Sequence, residues 1–98
     1  MRFANIEQNV IDRVLEVEIE EVFVSAKAVR EVRAILELDD KTIDEMRAIR
    51  NTIVRTIADM EQKAIDNNDK KLFSELATKM SGITCVIDNI IWRCGGKV

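Results

Sequence analysis

The chain has 98 residues, 47% of them apolar and 34% charged, with a formal charge of −3 and an isoelectric point near 5.0. That mixture is too apolar for a disordered chain and too charged for a membrane-embedded one, and its average field repels phosphate. A chain this short buries only about two-thirds of its unfolded surface, so one core and one domain, 1–98, are expected.

No apolar run approaches the roughly 18 residues that a spanning helix needs, and the first ten residues lack the pattern of a signal peptide, so the expected compartment is the cytoplasm. The chain holds no histidine, tyrosine or proline. Without imidazole, a zinc site would need more thiolates than Cys85 and Cys94 supply, and neither a metal nor a cofactor is expected. The nine-residue spacing of those two cysteines is about 900° of helical rotation, which sets them on opposite sides of one helix. Four aromatic residues, Phe3, Phe23, Phe73 and Trp92, supply few platforms for base stacking, and no segment is a basic arm. Direct nucleic-acid binding is not expected.

The first third of the chain is ambiguous. Val14 to Val24 is rich in β-branched residues and partly alternates, as a strand does, yet a lone strand has nothing to pair with. Taken as a helix over 5–37, it carries one apolar stripe through Leu15, Ile19, Val22, Ala26, Val29 and Leu36. A second runs through Val10, Val14, Val17, Val24, Ala28, Ile35 and Leu38. Positions 15 and 17 differ by about 200°, so the stripes lie on nearly opposite faces. A helix covering a hairpin needs one such stripe; the second calls for a neighbouring copy, a different protein, or a hairpin that wraps both sides. A strand between Leu15 and Val24 stays open as the other reading.

Two polar clusters, at 39–42 and 66–69, break the rest of the chain. Thr42 and Glu45 form a capping-box pattern, and Ile43, Met46, Ile49, Ile53, Ile57, Met60 and Ala64 recur at helical spacing, predicting a helix over 42–65. Leu72, Leu76, Met80, Ile83, Ile87, Ile90 and Cys94 predict another over 69–94, ended by Gly95 and Gly96. The short connection implies an antiparallel hairpin. Gly82, a weak helix former, either leaves room for another helix, such as the first, to approach closely or is a tolerated defect.

No catalytic constellation emerges. Adjacent carboxylates such as Asp39 and Asp40 diverge by about 100° on a helix, the serines have no histidine to activate them, and no glycine-rich phosphate loop is present. The expectation is a protein that is not an enzyme. Arg47, Arg50 and Asn51 share a helical face that suits a phosphate or carboxylate, against the plainer reading of salt bridges to Asp44, Glu45, Asp59 or the first helix. Val17, Val24, Ile35 and Trp92, rimmed by Glu16 and Glu20, are the candidate contacts for a partner or a second copy. Trp92 lies off the Ile83, Ile87, Ile90, Cys94 seam, three and seven residues from Asn89 and Cys85, and either anchors an interface or packs beneath the first helix.

In size, acidity and all-helical character the chain resembles small proteins that phages encode to inhibit bacterial machinery, anti-CRISPR inhibitors among them. That resemblance implies stoichiometric binding to a larger protein in the host cytoplasm. Residues 42–93 also look like the helical hairpin of phage proteins that sequester cyclic-nucleotide immune signals, although no tyrosine is present for their aromatic base-gripping position. The expectation is thus an all-α, three-helix protein, a long N-terminal helix on an antiparallel hairpin, oligomeric, and binding a protein. A nucleotide-sequestering oligomer and a structural assembly subunit are the alternatives.

Overall fold

Tight end-capping defines the two longest helices. The computed structural model describes residues 6–19 and 24–95, which form four α-helices: α1 (Gln8–Leu15), α2 (Ala26–Leu36), α3 (Ile43–Asp66) and α4 (Lys70–Arg93). At the start of α3 the capping box is complete: the Glu45 N–H donates to Thr42 Oγ1 at 3.1 Å and the Thr42 N–H to Glu45 Oε1 at 3.0 Å. At its other end Asn68 turns left-handed at φ 60, its N–H donating to the Ile65 carbonyl and that of Asp69 to the Ala64 carbonyl. That is a Schellman closure with asparagine where glycine is commoner. Asp69 also begins α4, its carboxylate accepting from the Leu72 N–H at 3.1 Å. Gly95 ends α4 in the left-handed region at φ 94, as its sequence position suggests.

α3 and α4, 24 residues each, pack as the expected antiparallel hairpin. At 1.5 Å per residue each is about 36 Å long, and the molecule's longest extent is 41 Å. Ile49, Ile53 and Ile57 of α3 and Ile83, Ile87, Ile90 and Ile91 of α4 are buried in one core. α1 and α2 pack on each other, and both lie on α4. They complete the core with Val14, Val17, Ala28, Val29, Val32 and Leu36. Among the described residues no polar or charged side chain is fully buried.

The all-helical expectation holds and no strand occurs among the described residues, but the single helix over 5–37 does not exist. α1 stops at Leu15 and α2 begins at Ala26. Three contacts account for the break. Lys79 of α4 donates its Nζ to the Val17 carbonyl at 2.6 Å, taking an acceptor that a continuous helix would use internally. Ile19 lies directly over Gly82, its Cβ 3.2 Å from where a Cβ on that glycine would stand. Ser25 accepts from the Ala28 N–H at 3.1 Å and starts α2 afresh. The β-branched run supplies little helical propensity to resist these contacts. The break also dissolves the puzzle of two opposed stripes. With the chain turned between them, Val14 and Val17 enter the same core as Val29 and Leu36 instead of facing away from it.

After α2 the chain turns left-handed at Glu37, φ 52, makes a short 3-10 turn at Leu38–Asp40 and buries Leu38. Arg33 grips Asp39 through Nη2 at 2.5 Å and Nε at 3.1 Å, tying the end of α2 to that turn.

Gly82→Ala tests the break. On an open helix face the change would stabilise by about 1 kcal/mol; here the methyl group collides with Ile19, and we expect the melting temperature to fall. Ile19→Ala in the same chain should recover most of the loss, and a Gly82→Ala chain that melts higher than the parent would show that Ile19 does not lie there.

Candidate functional site

The turn between α3 and α4 centres on Asn68 and Asp69, so residues equally far from it along the two helices face one another. Position 50 then meets position 88. Arg50 donates Nε to Asp88 Oδ1 at 2.5 Å and Nη2 to Asp88 Oδ2 at 3.4 Å, a two-pronged pair whose side chains are only 29% and 23% exposed. Arg50 Nη1 also donates to Asn51 Oδ1 at 3.5 Å. Arg47 pairs within α3 with the exposed Asp44 at 3.8 Å, one of the partners expected for it. The three residues singled out for an anion are thus near each other, but the guanidinium at their centre is engaged by a carboxylate of the neighbouring helix. An incoming phosphate would have to displace Asp88, which sequence reading missed as a partner. The hairpin register was the signal that could have found it.

The proposed partner contacts do not gather on one surface. Val17 is 4% exposed and belongs to the protein's own core, which corrects its assignment to an interface. Its burial follows from the break after α1. Val24 and Ile35 are half-buried against that core, so they do not form an outward stripe with it either. Glu16 is exposed beside the break, and Glu20 lies outside the described residues. Trp92 is the exception: 69% exposed, it does not pack beneath α1 or α2.

The surroundings of Trp92 follow from how α4 is used. α3 occupies one flank of α4, marked by the Arg50–Asp88 pair, and the N-terminal segment occupies another, marked by Ile19 on Gly82. Six residues separate Gly82 from Asp88, an arc of about 120° on the helix. Along that open arc lie Ser74, Thr78, Ser81, Cys85 and Trp92, all exposed. Asn89 sits beside Trp92, half-buried, with its Oδ1 lacking a hydrogen-bond partner among the described residues. Cys94, opposite Cys85 on the helix, is also exposed because α4 ends there.

At the far end of the hairpin, Ala64, Ile65, Asn68, Asp69, Lys70 and Phe73 line a shallow hollow of about 170 Å³. That is well below the several hundred cubic ångströms of ordinary ligand pockets. Among the described residues there is no cluster of metal-ligating side chains, and no helix is long and apolar enough to cross a membrane.

Compared with known proteins, the chain matches no family model, no curated protein and no solved structure.

The Arg50–Asp88 pair has a direct test. Asp88→Asn leaves the guanidinium half-buried without its counter-charge and should lower stability by about 1–2 kcal/mol in urea or thermal unfolding. No measurable change would mean that the pair is solvated in solution and that Arg50 is available to another anion.

Proposed function

We propose that this protein is a non-enzymatic binding module that engages another protein stoichiometrically, through the open arc of α4 with Trp92 as its anchor. The observation that supports the reading is the exposure of Trp92, the largest and most exposed of three large apolar side chains that stand in water among the described residues, the others being Ile65 and Leu72 near the hairpin turn. An indole left two-thirds in water forgoes roughly 2 kcal/mol that burial of an aromatic side chain supplies. Tryptophan is also enriched among the few residues that dominate binding energy at interfaces. Around it the arc is polar and small-side-chained, which gives an approaching surface close access and keeps the free protein from exposing a large greasy patch.

An inhibitor or adaptor is the form of stoichiometric binding that the protein's size, acidity and helical character suggest. The nucleotide-sequestering alternative has less in its favour, because Arg50 is already satisfied by Asp88 and the hollow at the hairpin tip is small.

Affinity capture from cell extract, run in parallel with the parent chain and with Trp92→Glu, tests the reading. A partner that is retained in near-equimolar amount by the parent and lost with the variant, while both proteins keep the same helicity, is the expected result. Equal retention by the two would remove Trp92 and its arc from the binding surface.

A further inference from the structure

The open arc of α4 has a property that a surface built only for a foreign partner would not need: it complements itself. We propose that in the free protein, before a partner takes the arc, its occupant is a second copy of this chain, with two α4 helices packed antiparallel about a two-fold axis at Cys85; the inference rests on the reading of that arc as the binding surface.

Take Cys85 as the centre of the arc. Trp92 lies seven residues after it and Thr78 seven before, each within about 20° of the same helical line. A two-fold axis through Cys85 therefore lays the Trp92 indole of each copy over Thr78 of the other, with Ser74 and Ser81 as the small neighbours that leave it room. An isologous contact of this kind is made twice, so one large residue and one line of small ones suffice for both halves.

Charge agrees with shape. Glu75 and Arg93 are exposed, have no ion pair among the described residues, and lie on the same side of α4, about 80° from Cys85 and just past the Gly82 edge of the arc. An antiparallel two-fold brings like flanks together, so Arg93 of each copy comes opposite Glu75 of the other, within two residues of register. Parallel packing about a two-fold would instead bring unlike flanks together and leave Glu75 and Arg93 of the two copies on opposite sides of the seam, so only the antiparallel arrangement pairs them. A single helix pair covers less than the roughly 1,200 Å² at which standard interfaces begin, so the dimer is expected to dissociate on dilution.

Sedimentation across a concentration series reads the association, and charge exchange reads the arrangement. Glu75→Arg alone and Arg93→Glu alone should each weaken self-association tenfold or more, because each sets like charges opposite each other twice. Mixing the two variants should restore a dimer, since every contact is then again Arg against Glu. Trp92→Ala should weaken it by a similar factor without loss of helicity. In a Cys94→Ser background, diamide should oxidise the two Cys85 thiols to one intermolecular disulfide, the diamide taking up both electrons and both protons. Small residues let the helix axes approach to about 8 Å, which puts facing Cβ atoms in disulfide range.

A chain that stays monomeric at every concentration overturns the second copy as occupant. The proposal of a protein-binding arc would then still stand or fall separately, on capture by the parent chain against Trp92→Glu. A dimer that neither charge variant weakens, or that the mixture does not restore, also overturns the inference, by placing self-association elsewhere on the molecule.

Discussion

α1, α2 and α3 all lean on α4. It offers one flank to α3, through the isoleucine seam and the Arg50–Asp88 pair, and another to the N-terminal segment, through Gly82 against Ile19 and Lys79 to the Val17 carbonyl. A helix has only so much circumference. Two neighbours on adjacent flanks leave one arc that no described residue covers, and Trp92 stands on it. That exposed surface is thus a remainder of packing, set by where the other helices sit.

Much of the hairpin was legible in the sequence because local chemistry and long-range packing agree there. Thr42 and Glu45 cap α3 as their spacing implies, the apolar positions recur at one helical period, and Gly95 takes the positive φ expected of a helix end. The N-terminal third was misread for the opposite reason. Between Leu15 and Ala26 the apolar spacing fits a continuous helix, and what interrupts it comes from α4: the ammonium of Lys79 and the missing side chain of Gly82. Periodicity cannot report a contact made by a residue sixty positions away. The run of β-branched residues was a local sign of weak helix, yet by itself it could equally have meant a strand.

The candidate site divides in the same way. Trp92 could be placed off the main seam by counting residues, and its exposure agrees with that placement. Val17 could not be placed, because its face depends on a helix that ends two residues before it. Arg50 was marked as chemically able, and whether it is free depended on Asp88, which only the pairing of the two long helices brings near. Residue type thus indicated what a side chain can do; packing decided whether it is at liberty to do it.

The turn at Asn68 and Asp69 has a kinetic consequence. Because Asp69 closes one helix with its N–H and opens the next with its carboxylate, the hairpin contains no slack loop, and its two arms meet through contacts that begin a few residues apart. Proteins rich in near-neighbour contacts fold fast, since little chain entropy is lost before the first contacts form. The tie from Lys79 to Val17 closes 62 residues at once. The hairpin can therefore zip up early, with the N-terminal helices docking onto an α4 that is already standing.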